Sequence, residues 1–346
     1  MKNKKRSIWD SRQPRLAITM GDPAGVGPEI IARVYEDPSI SQTAQLVVVG
    51  DASVMQEALK IVGSSRQIHR IEVFADETYD RTKLNIVDLD NLPWSTFKTG
   101  QIDSRVGKAS YDYIYTAIDM ALDRLVDGIV TGPIHKQSMQ LAGYDYPGHT
   151  EILTERSGTK DYAMLFVAGS LNVILVTTHC SMRDALDMIN VEVVLEKIQL
   201  ADQAMKAMGI DKPRIAVAGI NPHAGEGGRF GIEEKEVLEP AISLARAAGL
   251  EVTGPYPPDT VFYRARRGEF DIVVSMFHDQ GLIPVKLDGF AEGVNVTYGL
   301  PFVRTSPDHG TAFDIAWQGL ADPRSMISAI KLAIRLTRVA HSEDLL

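Results

Sequence analysis

The chain has 346 residues, of which 45% are hydrophobic and 23% charged, a composition typical of a globular protein large enough for two domains. Its formal net charge of −9 argues against a nucleic-acid partner, which would need a basic face, but is compatible with a local basic site for a small anion. The single cysteine, Cys180, excludes an intrachain disulfide and fits a reducing, cytoplasmic location.

The first 14 residues are basic and lack the apolar core of a signal peptide, so we expect a flexible, solvated tail there. The most apolar window, residues 163–178, is interrupted by Gly169, Ser170 and Asn172. A membrane span needs ~20 apolar residues, so this window predicts two strands and a turn instead. We expect no membrane association.

Strand and helix patterns alternate along the chain, which predicts an α/β fold with a parallel sheet and helices on both faces. Apolar runs of the amino-terminal half predict strands at residues 16–20, 45–49 and 127–131. Amphipathic spacing predicts helices at residues 111–126, 192–208 and 233–248.

The first predicted strand runs into a glycine-rich stretch, GDPAGVGPEI, at residues 21–30. Its glycine spacing is not G-x-G-x-x-G, so the dinucleotide-binding fingerprint is absent. Two interpretations stay open. The stretch is either a tight strand-to-helix turn or a backbone cradle for an anion at a helix N-terminus.

Three further apolar runs each lead to a histidine. The runs cover residues 171–178, 214–220 and 272–277, and the histidines that follow them are His179, His223 and His278. Polar groups directly after buried strands lie at the sheet edge where α/β proteins bind ligands. Three neutral imidazoles with open coordination positions suit a divalent transition metal, which polarises a hydroxyl or carbonyl oxygen.

Two cationic residues stand in unusual surroundings. Lys286 and Arg304 are embedded in apolar and Gly-Pro sequence, which favours recognition of a carboxylate or phosphate over a solvated surface position. His149 and Thr150 follow a Pro-Gly turn that starts a helix, where Thr150 could equally be a helix cap. The residues alone therefore predict a metal-assisted enzyme acting on a small anionic molecule.

Over residues 16–338 the chain resembles the 4-hydroxythreonine-4-phosphate dehydrogenase family of vitamin B6 biosynthesis. The motifs that carry the resemblance are ITMGDPAGVGPEI, YPGHTE, TTH, NPHAGEGG, FHDQG, GVNVT, LPFVRTS and DHGTAFDIA. The resemblance implies an isocitrate/isopropylmalate dehydrogenase-like fold of two α/β/α domains with a central cleft. We expect the first domain, on the cofactor side, at residues 15–135 plus 300–346, and the second, on the metal and dimer side, at 136–299.

The resemblance also implies roles for single residues. The metal ligands would be His179, His223 and His278. The substrate would contact His149, Thr150, Lys286, Asn295 and Arg304, with Lys286 and His149 catalytic and Lys286 transferring a proton. DHGTAFDIA is similar to the HGSAPDIAG loop of isopropylmalate dehydrogenases, which contacts the dinucleotide, and this similarity assigns the cofactor to His309, Gly310, Ala312 and Asp314.

The implied assembly is a homodimer with shared active sites, in which His179 and His223 come from one subunit and His278 from the other. The implied cofactors are NAD, with NADP as the alternative, and a divalent metal, namely zinc, magnesium or cobalt. The partner is a small phosphorylated hydroxy acid.

The implied reaction is the NAD- and metal-dependent oxidation and decarboxylation of 4-phosphooxy-L-threonine to 3-amino-2-oxopropyl phosphate. A branch of the family shares all these motifs and oxidises 4-phospho-D-threonate or 4-phospho-D-erythronate, giving dihydroxyacetone phosphate. The sequence leaves both substrates open. A remote alternative is phosphate acyl transfer on the related phosphotransacetylase fold, which needs neither metal nor NAD. A non-catalytic binding protein that kept the fold is a further alternative.

Overall fold

The computed structural model describes residues 13–72, 78–289 and 291–342, and it divides the chain into two compact units. The first unit is formed by residues up to Thr159 together with those from Leu300 onward, and the second by Lys160–Gly299. Of the predicted flexible tail, residues 1–12 lie outside the described residues. The breaks between the units lie at 159/160 and 299/300, where the expected domain boundaries are 135/136 and 299/300.

The strands of the described residues are short, and most of the residues in them are buried. They are β1 (Arg15–Thr19), β2 (Gln45–Gly50), β3 (Ile68–Arg70), β4 (Leu84–Asp88), β5 (Gly128–Thr131), β6 (Ala163–Ala168), β7 (Leu171–Leu175), β8 (Ile215–Ala218), β9 (Val252–Tyr256), β10 (Ile272–Ser275), β11 (Val294–Tyr298) and β12 (Val303–Pro307).

The helices of the described residues include none with both the length and the apolar character required to cross a membrane. They are α1 (Gly27–Tyr35), α2 (Pro38–Ser41), α3 (Ala52–Ile61), α4 (Ser104–Leu122), α5 (Lys136–Leu141), α6 (His149–Ser157), α7 (Met182–Met188), α8 (Val191–Ala207), α9 (Glu239–Ala247), α10 (Pro258–Arg266), α11 (His278–Gly289) and α12 (Arg324–Ser342).

The first unit contains a parallel sheet with the strand order β3-β4-β2-β1-β5-β12. β2 is buried at every position, as expected for a parallel strand covered on both faces. Both α5 and α6 pack against α4, which explains why residues 136–159 belong to this unit and not to the second. The predicted helix at 111–126 begins earlier, at Ser104, because the Asp103 carboxylate accepts a hydrogen bond of 2.8 Å from the Arg105 amide and caps it.

The second unit contains a sheet with the strand order β11-β6-β7-β10-β8-β9. This sheet is mixed rather than wholly parallel, and it contains the two strands and the turn that the sequence predicted at residues 163–178. β6 pairs antiparallel with both β7 and β11, since β6 and β7 are joined by a tight turn in which Gly169 has φ 55°. The remaining pairs are parallel. The predicted helix at 233–248 is a π-helical turn, Glu234–Leu238, followed by α9.

Candidate active site

Three neighbouring parallel strands of the second unit each lead to a histidine. β10 pairs in parallel with β7 on one side and with β8 on the other. The chain leaving β7, β10 and β8 carries His179, His278 and His223, respectively. Because the carboxyl ends of parallel strands meet at one edge of a sheet, these residues, called the histidine edge below, share that edge.

Two members of the histidine edge are close to each other within one chain. The ring centroids of His179 and His278 lie 5.7 Å apart, and both residues line a pocket of about 400 Å³ together with Cys180 and Met182. Nδ1 of His278 is 2.7 Å from Oδ1 of Asp279, a contact that orients the ring and leaves Nε2 for a ligand. Two imidazoles bound to one tetrahedral ion at ~2.1 Å hold their centroids about 5 Å apart, so the pair fits a shared metal.

The third histidine does not complete a metal site within the chain. Across residues 13–72, 78–289 and 291–342, no group of three His, Cys, Asp or Glu side chains is arranged to hold a metal ion. The His223 ring has an aromatic neighbour in Phe230, at a centroid distance of 6.2 Å. Within one chain the rings of His179 and His278 are thus neighbours, and the assignment of the three ligands to subunits stays a prediction.

The loop that carries His223 has an unusual backbone. Residues 223–228 all have positive φ, and three of them are not glycine, namely His223 (φ 54°), Ala224 (φ 52°) and Glu226 (φ 42°). The left-handed conformation costs roughly 1–2 kcal/mol for each residue that has a Cβ. Such strain persists only where neighbouring groups hold the backbone in place, and it is concentrated at functional sites.

Two predicted substrate residues lie on other elements of the second unit. Lys286 is exposed on α11, about two turns after His278. Asn295 lies on β11 opposite Phe166 of β6, and its amide oxygen is buried with no hydrogen-bond partner among the described residues. That oxygen is an acceptor that a ligand could satisfy.

In the first unit, Arg304 is a buried cation on β12, the neighbour of β5. Its side chain is 2% exposed and donates a hydrogen bond of 2.7 Å to Oγ1 of Thr131. Burial lowers the pKa of Arg304 to about 9, and the negative charge of Glu151 opposes this shift. The guanidinium is therefore still cationic at neutral pH, and a bound anion would offset its desolvation.

His149 is the first residue of α6 and lies near Arg304. An N–H of its ring donates to the Gly132 carbonyl, and Nε2 is buried with no hydrogen-bond partner among the described residues. Burial, and then the charge of Arg304, lower the pKa of His149 well below its usual value, so the ring is neutral at physiological pH. We call Thr131, His149, Glu151 and Arg304 the buried polar cluster. Thr150, the remaining predicted residue here, is buried directly beside His149 in the chain.

The four predicted cofactor residues lie on one loop between β12 and α12. The Val26 amide donates a hydrogen bond of 3.0 Å to the Thr311 carbonyl and fixes this loop on the glycine-rich turn. The Phe313 ring stacks on His135 at a centroid distance of 4.8 Å. A Cβ built on Gly310 would meet no atom within 4 Å, so the backbone there is open to a ligand. The full set is His309, Gly310, Ala312 and Asp314.

The structure also decides between the two interpretations of the glycine-rich stretch. A Cβ on Gly21 would lie 2.4 Å from the Pro133 carbonyl oxygen, and one on Gly27 would lie 2.3 Å from the Met20 carbonyl oxygen. The glycines thus allow other parts of the backbone to approach closely, which favours a tight turn over an anion cradle. The buried carboxyl of Asp22 in the same turn also disfavours an anion.

Sequence reasoning missed four polar residues that the structure places at or beside these sites. Glu151 belongs to the buried polar cluster, while Glu234 and Gln280 contact the loop and strand ends of the histidine edge. Burial raises the pKa of Asp22 to about 7, and its Oδ2 has no hydrogen-bond partner among the described residues. Acidic residues are usually solvated, and only for Asp22, Glu151 and Gln280 could the position inside a sequence motif have indicated otherwise, since Glu234 lies outside the motifs.

Comparison with known proteins gives matches over nearly the whole chain. Residues 42–333 match the family described as Pyridoxal phosphate biosynthetic protein PdxA. A 4-hydroxythreonine-4-phosphate dehydrogenase of Beijerinckia indica subsp. indica is 49% identical over 324 residues, which cover 93% of this chain and 94% of that protein. A D-threonate 4-phosphate dehydrogenase of Salmonella typhimurium is 45% identical over 322 residues, which cover 93% of this chain and 98% of that protein.

The chain is also similar to a solved structure of 4-hydroxythreonine-4-phosphate dehydrogenase from Klebsiella pneumoniae, with a TM-score of 0.83 and 43% sequence identity. The match covers 94% of this chain and 100% of that one. These matches confirm the α/β fold class expected from the sequence and the dehydrogenase class, an oxidoreductase. The chain therefore belongs to the PdxA family of pyridoxal phosphate biosynthetic proteins.

Proposed function

We propose that this protein oxidises a small hydroxy acid with a terminal phosphate, using NAD as the hydride acceptor, and that the oxidised product loses carbon dioxide. The relatives are named for two such molecules, 4-hydroxythreonine 4-phosphate and D-threonate 4-phosphate. Both have a carboxylate at C1, a hydroxyl at C3 and a phosphate at C4. They differ at C2, which bears an amino group in the first and a hydroxyl in the second.

The observation that carries the proposal is the pair of imidazoles, His179 and His278, held 5.7 Å apart where parallel strands end. The distance and the imidazole nitrogen donors suit zinc or cobalt better than magnesium, which prefers oxygen ligands. When bound there, the metal would polarise the C3 hydroxyl oxygen of the substrate. His223 is the third ligand in this proposal.

The buried polar cluster supplies the anion site of the proposal. The Arg304 guanidinium is a desolvated cation with planar donors, which suits a carboxylate or phosphate group. The neutral His149 ring offers its buried Nε2 as an acceptor for a substrate hydroxyl or amino group. Thr150, Lys286 and Asn295 complete the proposed substrate contacts.

The proposed reaction balances in two steps. Oxidation transfers the hydride from C3 to the nicotinamide and releases the hydroxyl proton, leaving a ketone β to the carboxylate. Loss of carbon dioxide then leaves the electron pair of the broken bond on C2, which must take up a proton. We assign this proton transfer to Lys286, whose ammonium group is exposed on α11, and we assign the nicotinamide to the loop of His309–Asp314.

A complete metal site in this proposal requires a second copy of the chain. One chain brings two imidazoles together, and its described residues contain no group of three metal-binding side chains. A homodimer with shared sites would supply the missing ligand to each of two equivalent sites. We place this dimer in the cytoplasm, where the exposed Cys180 stays reduced.

The test is a panel of NADH absorbance assays with the purified full chain. The substrates are 4-hydroxythreonine 4-phosphate, D-threonate 4-phosphate, D-erythronate 4-phosphate and the unphosphorylated acids, each with NAD or NADP and with or without a chelator. We expect chelator-sensitive NADH formation with a phosphorylated acid, and the preferred acid identifies the group at C2. Turnover that is unaffected by exhaustive chelation would rule out the metal, and no turnover of any phosphorylated acid would rule out the substrate class.

A further inference from the structure

The left-handed run at residues 223–228 needs a restraint from outside the loop. Glycine adopts this conformation readily, but His223, Ala224 and Glu226 do not. The loop's own backbone supplies few bonds, among them Ala224 N to the Asn221 carbonyl at 3.0 Å and Phe230 N to the Gly225 carbonyl at 3.1 Å.

The restraint is the side chain of Glu234, at the start of the π-helical turn. The carboxylate is 3% exposed. Its Oε1 accepts hydrogen bonds from the amides of Ile220, at 2.9 Å, and Asn221, at 2.7 Å. Its Oε2 accepts from the Asn221 side-chain amide at 2.9 Å. One buried carboxylate thus fixes the position of Ile220 and Asn221, which precede the left-handed run.

Close packing leaves the loop no room to shift around this carboxylate. A Cβ on Gly225 would lie 2.7 Å from Oε2 of Glu234, and a Cβ on Gly219 would lie 2.9 Å from Cα of Ala224. The side-chain NH₂ of Gln280 donates a hydrogen bond of 2.8 Å to the Gly219 carbonyl. The side-chain oxygen of Gln280 accepts a hydrogen bond of 2.8 Å from the Met276 amide. Glu234 and Gln280 therefore connect the end of β8 to the end of β10.

We propose that Glu234 is a positioning residue for His223, which it holds in the orientation required to bind the metal. The carboxylate makes no contact with the ring itself in the described contacts and acts through the backbone of Ile220 and Asn221. This inference rests on the proposed metal-binding role of His223. It predicts that loss of Glu234 weakens metal binding only as long as His223 is present.

The experiment is a double-mutant cycle on Zn²⁺ affinity, measured by competition with a chromophoric chelator on the full chain. Glu234→Ala should raise the dissociation constant about 10- to 100-fold, the usual effect of losing a group that orients a ligand. Glu234→Gln should recover most of the affinity, since its carbonyl oxygen still accepts from both backbone amides. In a His223→Ala background, Glu234→Ala should cause no further loss. Glu236→Ala, on the exposed part of the same turn, is the matched control.

Amide hydrogen exchange of the metal-free proteins gives a second readout. The amides of Ile220 and Asn221 should exchange faster in Glu234→Ala than in the wild type or in Glu236→Ala. If Glu234→Ala does not fold, Asn221→Ala takes its place in the Zn²⁺ measurement; it removes the side-chain bonds to Glu234 and Glu233 and keeps both backbone bonds to Glu234. The inference would be overturned if Glu234→Ala weakened Zn²⁺ binding equally with and without His223. It would also be overturned if Zn²⁺ affinity were unchanged in both Glu234→Ala and Asn221→Ala. Unchanged affinity in His223→Ala alone would instead overturn the metal assignment, while the exchange rates would still report whether Glu234 holds the loop.

Discussion

The rings of His179 and His278 lie 5.7 Å apart although they follow strands that are distant in sequence. The cause is the direct parallel pairing of β7 with β10, in which Val173 is opposite Val273. Since these strands are buried in the core of the second unit, the spacing of the two imidazoles is fixed by the fold before any ligand binds.

The first prediction is that His179→Ala, His223→Ala and His278→Ala each lose metal and turnover. Removing one of three imidazoles should lower metal affinity by more than the ~10–100-fold that even the loss of a supporting group costs. Metal content after dialysis against a chelator and reloading with zinc measures this. His69→Ala, on β3 of the first unit, is the control. Wild-type metal content in His278→Ala would exclude that residue as a ligand.

The second prediction concerns which histidines share a chain, and mixed dimers decide it. If His179 and His223 act in one chain with His278 of the partner, then refolding His179→Ala with His278→Ala restores one complete site per heterodimer. If His179 and His278 act together, as their spacing favours, the pair that complements is instead His179→Ala with His223→Ala. Random mixing makes half of the dimers heterodimers, so about a quarter of all sites recover.

The measurement for the mixed dimers is NADH production after co-refolding equal amounts of the two variants, with each variant refolded alone as the control. Only one of the two mixtures should recover activity. Recovery in neither mixture, although heterodimers are demonstrated, would mean that the sites are not shared between chains.

The third prediction is that Arg304→Ala lowers kcat/KM for the phosphorylated substrate by at least roughly 30-fold, since breaking one side of a buried charge-assisted pair costs about 2–5 kcal/mol. Arg304→Lys should recover only part of the loss, because the ammonium lacks the planar fork. Lys286→Ala should lower kcat through the lost proton transfer. Arg70→Ala, which removes an exposed ion pair with Asp88, is the control. Equal turnover of unphosphorylated acids by the wild type would contradict the phosphate assignment.

The fourth prediction concerns the charge of His149. Its pKa is lowered in the folded protein, chiefly by burial. As the pH falls through the unfolded pKa of ~6.5, His149 therefore takes up a proton in the unfolded state while it stays neutral in the folded state. The contribution of His149 to stability is thus fully present above pH ~6.5 and is lost as the pH falls below it. Nuclear magnetic resonance of labelled histidines should show one ring, absent in His149→Gln, that stays neutral at pH values where a free histidine, with a pKa of ~6.5, is protonated.

The fifth prediction concerns Asp22, whose pKa burial raises from 3.8 to about 7. Between these two values the unfolded state releases a proton that the folded state keeps, so the free energy of unfolding decreases as the pH rises. The decrease is at most about 4 kcal/mol and is complete above pH ~7. Asp22→Asn should show a flatter profile in chemical denaturation at pH 4 to 8. Asp211→Asn, an exposed site, should keep the wild-type profile, and an unchanged profile in Asp22→Asn would disprove the linkage.

The sequence was sufficient to predict the strands that carry the site, because long apolar runs identify buried strands and the polar residues after them. The observed β7, β8 and β10 lie within the three predicted runs. The turn predicted within residues 163–178 accounts for the antiparallel pairing of β6 with β7, whereas the antiparallel pairing of β6 with β11 was not predicted, since the apolar pattern of a buried strand is the same in either direction. The early start of α4 was missed because its first turns contain Gly107, which weakens the helical pattern.

The supporting residues of the site could not be predicted for a different reason. Whether Glu234 is buried depends on how the loop after β8 folds over it, which is a property of tertiary packing. Likewise, nothing in the residue types of His223 and Ala224 indicates a left-handed backbone, because non-glycine residues rarely adopt it. Local sequence therefore indicates which residues carry the chemistry, while the groups that orient them are determined by contacts between distant segments.

The first unit is discontinuous in sequence, and this affects the order in which the two units can fold during synthesis. The second unit is a single stretch, Lys160–Gly299, so all of it is synthesised before β12 is. The strand β12 then has to join the edge of a sheet whose other members were synthesised much earlier, beside β5. Since domains tend to fold as units while the chain emerges, the histidine edge can form cotranslationally, whereas the buried polar cluster, which includes Arg304, must await the last part of translation.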